Sequence, residues 1–445
     1  MHTRQATSVA NHEPGAVCQT WAARSIAWLG RSIYDTESVS AMAASSKAIL
    51  ACPPIRSNIS DLSVVAVSYL VGRDGVHALV TSASGTTWTR LPTTGDEPAK
   101  VDDLRRQLRD GDLVAEGRTP LLEEFSEDWG SRLLPPEILA APPDVLVLVP
   151  HGWLHDLPLH LIRHDGRPIG TLSGIAYASS HTLFMRCTER NRRRESGDAG
   201  TFDPAPPWTV PPRNRAAIIA VADVSRANDE FFGIVANAVS GAFSPADPSQ
   251  VVEAYVSTAE LAGNDPQGSP DVLCLVAHGW IDLEDRLASG LLVLEDTGLK
   301  KYFRVTADGK TFSLRLLPFA QLPVGLGESR PTAVLAAAQL EIFFECRQEL
   351  VLLLGCSAGS GSLMRGDQPA SLAESFLQCG AVSVVAPLWD IDVRSTARWA
   401  GAFLDAWHRG AMPKALAARY ALSQLTAAGI GIEKSGALTL RGDWI

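Results

Sequence analysis

From residue 62 the chain falls into patterned segments. "LSVVAVSYLVG", "VHALVTSA" and "TTWTRLP" are rich in β-branched and aromatic residues and are parted by Gly-containing turns, which predicts a meander of paired strands. Helical periodicity follows around residues 101–110 and 119–134. "DVLVLVPHG" then runs apolar without interruption, as a strand buried on both faces does. Residues 190–215 show neither period and carry prolines and charges, predicting a linker or long surface loop. Beyond this break the order is strand "AAIIAVADV", helix 228–242, strand "DVLCLVAHG", and a turn-rich insertion over 282–315 with a hairpin of "SGLLVLEDTG" and "FRVTADGKTFSL". Helix 332–344, strand "ELVLLLG", helix 369–378, strand "AVSVVAPLW" and two closing helices complete the pattern. Residues 1–55 predict only short helical segments.

Strands alternating with helices imply an α/β fold, a mainly parallel sheet flanked by helices on both faces. Ligands of such sheets bind beyond the carboxyl ends of the strands. The expected division is a helical segment over 1–55, a β-rich half over 56–189, the linker over 190–215 and a second half over 216–445. A chain of 445 residues fits two or three structural units, and 46% apolar residues suffice for buried cores.

Composition narrows the function classes. A net charge of −10 argues against a nucleic-acid partner. The basic run "RNRRRES" reads as a solvated loop. Apolar runs of strand length argue against membrane insertion, and the opening residues lack a secretion-signal pattern. Seven scattered cysteines without a CxxC pair suggest neither a metal site nor a disulfide framework, so no cofactor and a cytoplasmic location are expected.

Two stretches, "DVLVLVPHGW" at 144–153 and "DVLCLVAHGW" at 271–280, agree at eight of ten positions. After the second, strand "LLLG" ends in Cys356-Ser357-Ala358-Gly359 and strand "VVAPLW" in Asp390-Ile391-Asp392. If these strands are neighbours, their tips converge. His278 and Cys356 then make a base–thiol pair, in which the imidazole draws off the proton and the thiolate attacks a carbonyl. The N–H groups of Gly279 and Cys356 are placed to hold the resulting oxyanion. The bland alternative is that a Cys at a strand end is a small buried hydrophobe, the reading taken for Cys274 and Cys379. A sharper rival is that "GCSAG" fits the G-x-S-x-G elbow with Ser357 as nucleophile. Against it, "SGSLMRGDQP" separates the motif from the next helix, and the only downstream imidazole, His408, falls within a helical pattern.

The blocks "LCLVAHGWIDLEDRLASGLLVLED", "LLLGCSAGSG" and "ASLAESFLQCGAVSVVAPLWDIDVRST", with "VLVLVPHGWLHDLPLHLI" and "SGIAYASSHTLF" upstream, together resemble the CHAT domain of caspase-like peptidases over about residues 55–428. "PLWDID" also resembles a segment of separase. The resemblance implies a caspase-like fold in which an active half follows a degenerate one, with His278 and Cys356 as the dyad. It implies an oxyanion hole of Gly279 and Cys356, and a pocket by Trp389 in which Asp390, or second Asp392, holds a basic substrate residue. Capping of the following helix is the alternative role for Asp392. His151 and His155, in the first half, lack a thiol partner and read as structural. The sequence departs from the family in reading Leu-Gly-Cys-Ser-Ala at the nucleophile. The implied activity is cleavage of a protein substrate after activation by an upstream protein or ligand, in bacterial or antiviral defence or regulated cell death. Gasdermin-like proteins are among the family's targets. Residues 190–215 and 282–315 are the segments expected to move or be cut. A non-catalytic protein-binding scaffold and a serine hydrolase through Ser357 are the competing classes.

Overall fold

The computed structural model describes residues 61–109, 116–117, 119–196, 348–364 and 367–445, and between 216 and 346 the segments named below with some isolated positions. The helical segments expected within 1–55 and the linker beyond residue 196 lie outside the described residues. Eleven strands form one sheet: β1 Val64–Gly72, β2 Gly75–Ser82, β3 Gly85–Leu91, β4 Val145–Val149, β5 Gly174–Tyr177, β6 Ala216–Ala220, β7 Val251–Glu253, β8 Val272–Val276, β9 Leu350–Leu354, β10 Ser383–Pro387 and β11 Leu438–Gly442. Their order across the sheet is 3-2-1-4-5-11-10-9-8-6-7. The helices used below are α1 Glu97–Arg109, α2 Pro120–Glu127, α3 His181–Ser196, α4 Leu372–Cys379, α5 Val393–Leu404 and α6 Lys414–Ala427.

The apolar runs become the middle of this sheet because it is covered on both sides, so every residue of β4, β8, β9 and β10 is buried. Alternate residues serve opposite faces. Val145, Val147, Cys274, Val276, Leu352 and Leu354 share one core with Trp399 and Phe403 of α5 and Ala417 and Ala421 of α6. On the other face, Leu146 and Leu148 pack with Leu104 of α1 and Phe125 of α2. Leu273, Leu275, Val351 and Leu353 pack there with Phe376 and Leu377 of α4. One face is therefore continuous, whereas the other is split into two cores.

Strands β1, β4 and β5 are mutually parallel, as are β6, β8, β9 and β10. The two sets run in opposite directions and meet at β11, which is parallel to β5 and antiparallel to β10. The expected meander of β1, β2 and β3 is present.

Four local expectations are corrected. The closing element is the central strand β11, not a helix; its alternation of Leu438, Leu440 with Thr439, Arg441 is too short to stand out from a loop. Residues 190–196 belong to α3 rather than to a linker. Arg190 there donates to the carbonyls of Leu377 and Ala381, and Arg194 pairs with Asp271, so the basic run is helical and docked through these two residues. Residues 332–336, expected to open a helix, form a strand against Gly290–Leu294, because cross-strand pairing overrides a weak helical preference. Gly290–Leu294 pairs in this way with Thr332–Ala336 and Gly279–Trp280, while the hairpin of the insertion joins Tyr302–Ala307 to Lys310–Arg315.

Candidate active site

Cys356 sits on a turn just past β9. The turn is tied to the neighbouring strand by Ser357 N–H to the Trp389 carbonyl (3.3 Å) and Gly359 N–H to the Pro387 carbonyl (2.8 Å). Arg441 of β11, buried, donates to the Gly359 carbonyl at 2.8 Å. Ser357 has φ +55°, a left-handed conformation that most side chains avoid.

The second His-Gly pair meets this turn from β8. Strands β8 and β9 are parallel and in register, with Val276 opposite Leu354. Gly279 packs so closely on the turn that a Cβ there would lie 1.8 Å from the Cys356 carbonyl oxygen. Likewise, a Cβ at Gly355 would lie 2.4 Å from the Ala277 carbonyl oxygen. Only glycines allow the two strand ends to approach in this way. His278 itself lies outside the described residues.

Asp390 lies beside the thiol. It accepts a hydrogen bond from Ser357 Oγ at 3.0 Å. Burial pushes the Cys356 thiol up to about 11, and the Asp390 charge adds to that rise. Burial also raises the Asp390 carboxyl, against the pull of Ser357, Cys356 and the Arg109 charge. The thiol is thus held protonated in this state.

The other residues of the expected pocket have different surroundings. Trp389 is 1% exposed, belongs to one of the cores and donates its indole N–H to the Glu433 carbonyl at 2.8 Å. Asp392 caps α5 by accepting from Ser395 N–H at 2.9 Å, which uses its carboxylate structurally. Ser357 has the backbone of an elbow nucleophile, but the chain continues into a hairpin, Ser362–Met364 with Gln368–Ala370, instead of a helix. Among the described residues its hydroxyl bonds the Asp390 carboxylate. His408 lies beside Trp407 and feels the charge of Glu349, which immediately precedes β9, whereas Ser357 follows that strand. The two therefore stand at opposite ends of β9 and cannot share a proton.

The first His-Gly pair meets a carboxylate. His151 Nδ1 accepts the Val71 N–H at 3.2 Å, and burial lowers its proton affinity. Gly152 N–H donates to Asp367 Oδ1 at 2.6 Å, and His155 Nε2 lies 3.3 Å from Asp367 Oδ2. No sequence signal marked Asp367 or Arg441 for these contacts, since each acts across a long separation in the chain. Among the described residues there is no cluster of three or more His, Cys, Asp or Glu side chains suited to a metal, and no helix long and apolar enough to cross a membrane.

The CHAT domain family model matches residues 123–429. Among solved structures, the separase–securin complex of Saccharomyces cerevisiae is similar at a TM-score of 0.51 and 12% identity, over 92% of this chain and 31% of that one. The chain thus spans under a third of the separase chain. The Arg specific cysteine proteinase gingipain R (RGPB) aligns at a TM-score of 0.41 and 11% identity, over 79% of this chain and 74% of that one. No curated protein matches the sequence. The mainly parallel sheet with flanking helices is the caspase-like arrangement.

Proposed function

The chain belongs to the CHAT family, and from that premise we propose that it is a cysteine endopeptidase acting through Cys356 and His278. The observation that carries this reading is the fit of Gly279 against the Cys356 backbone, at the ends of two strands paired Val276 to Leu354. His278 precedes Gly279 in the sequence, which supports choosing it as the partner base.

In the proposed reaction the His278 imidazole takes the Cys356 thiol proton as the sulfur attacks the scissile carbonyl. The N–H groups of Gly279 and Cys356 hold the oxyanion. Collapse of the tetrahedral adduct breaks the C–N bond, and His278 returns its proton to the leaving amine. Water, deprotonated by the same imidazole, then hydrolyses the thioester.

Asp390 is the residue proposed to hold a basic side chain of the substrate. An arriving guanidinium or ammonium would pair with its carboxylate and offset the negative charge that raises the thiol. Recognition would thereby help to release the nucleophile, as fits an enzyme silent until engaged. A protein substrate, gasdermin-like among the candidates, an upstream activator and a role in defence or cell death follow from the family as parts of the same proposal.

The raised thiol also suits a scaffold that binds proteins without turnover, so the two readings need a direct test. Cys356→Ala, His278→Ala and Ser357→Ala are compared for cleavage of a peptide library varied at the recognition position. The peptidase reading expects Cys356→Ala to lose at least about a thousandfold and His278→Ala at least about a hundredfold. Ser357→Ala should stay within about tenfold, with Arg or Lys favoured. Loss with Ser357→Ala alone would indicate the serine hydrolase. No cleavage by any form would leave the scaffold.

A further inference from the structure

The duplicated motif of the first half is left without a role by the peptidase reading. Its surroundings suggest one. The turn that carries Cys356 runs through Gly361 into the hairpin Ser362–Met364 and Gln368–Ala370, whose strands pair Ser362 with Ala370 and Met364 with Gln368. Asp367 stands at the turn of this hairpin with φ +63°, a conformation Asp tolerates better than most residues.

The Asp367 carboxylate is received by the first His-Gly pair. Gly152 N–H donates to Oδ1 at 2.6 Å, His155 Nε2 is 3.3 Å from Oδ2, and His151 Nε2 is 3.8 Å from the same oxygen. Because His151 Nδ1 accepts the Val71 N–H, the ring proton of the neutral imidazole is on Nε2, facing the carboxylate. Gly152 has φ +59°, which aims its amide at the carboxylate without a side chain in the way. The base of the hairpin is gripped from the same half: Arg105 of α1 donates to the Gly361 carbonyl at 3.0 Å and pairs with Asp156 at 3.2 Å.

We propose that the first His-Gly-Trp motif is a socket for the hairpin that leaves the nucleophile loop, and that Asp367 is a positioning residue for Cys356. The hairpin acts as a lever seated at both ends on the first half, while the thiol's partner strand β8 belongs to the second. Unseating Asp367 lets the Cys356 turn shift relative to β8. A displacement of about 1 Å at a reacting atom costs on the order of a hundredfold in rate. The consequence for rate rests on the peptidase reading; the seat itself does not.

The test uses the full chain and a peptidyl acyloxymethyl ketone with Arg at its recognition position, which alkylates an activated thiol. Maximal alkylation rate at Cys356, probe affinity, thermal midpoint and hydrogen exchange of residues 361–371 are measured for wild type, Asp367→Ala, Asp367→Asn, His155→Ala and the Asp367→Ala/His155→Ala pair. The expected result for Asp367→Ala is a fall of about a hundredfold in maximal rate with affinity changed by less than about threefold. Asp367→Asn should recover part of the rate, because its amide oxygen still accepts from Gly152. The double variant should be no slower than Asp367→Ala alone. An unchanged rate in Asp367→Ala, or equal loss in both Asp367 variants in step with thermal unfolding, would overturn the proposal. Failure of the wild type to label at Cys356 would instead count against the peptidase. The seat would then stand or fall on whether Asp367→Ala accelerates exchange over residues 361–371.

Discussion

At Cys356, burial and the adjacent Asp390 charge act in the same direction, and both keep the proton on sulfur. With the thiol near 11, the thiolate at neutral pH is about one part in ten thousand. Iodoacetamide labelling of Cys356 in the resting protein is therefore expected to climb about tenfold per pH unit from 7 to 9 without a plateau. Asp390→Asn removes the nearby negative charge, lowers the thiol and should raise labelling at pH 7. A plateau near neutrality in the wild type, read by peptide mass spectrometry, would contradict this account. Gly279→Ala is a second residue-scale test. Its Cβ would collide with the Cys356 carbonyl oxygen, so cleavage should fall at least about a hundredfold while the helices remain. The closeness of this pair was legible in the sequence, since two apolar runs ending in His-Gly and Gly-Cys suit neighbouring strand tips. The closeness of Asp390 to the thiol was not, because the two follow different strands and no motif spacing links them.

The elements divide in the same way. Runs such as "VLVLV" and "LVLLL" have a composition that only a doubly covered strand accepts, and they were readable as such. The final strand was hidden, because Thr439 and Arg441 look like surface residues. In the folded chain Thr439 Oγ1 donates to the Ala386 carbonyl and Arg441 to that of Gly359, so each finds a backbone partner inside. Deleting residues 437–445 should leave β5 and β10 without their shared neighbour. The expected outcome is loss of cooperative unfolding by circular dichroism, and a retained sharp transition would refute the central role of β11. On the covering face, Phe403 stacks on Trp399 at 4.9 Å between ring centroids and is fully buried. Phe403→Ala should cost about 3–5 kcal/mol in denaturant unfolding.

Among the described residues, two oppositely directed sets of strands join in one large sheet and share a core on one side. Buried imidazoles make its stability sensitive to acid. His160, bonded to Tyr177 and the Gly436 carbonyl, and His181, bonded to Ser68, are each lowered by burial to about 4 from an ordinary 6.5. Below 6.5 the unfolded chain binds protons that the folded chain refuses, so stability is complete above that pH and declines as pH falls toward 4. The loss is at most about 3 kcal/mol for each group. Urea unfolding between pH 7.5 and 4.5 should show this decline, and His181→Gln should flatten it by about half. An unchanged slope would mean that His181 is not buried neutral.

The most direct test of the central claim is labelling of the intact chain by the Arg-peptidyl ketone, with the modified residue mapped by mass spectrometry. A single adduct on Cys356, slowed at least about a hundredfold in His278→Ala, is the expected result. Equal rates with and without the His278 imidazole, or an adduct on Ser357, would contradict it.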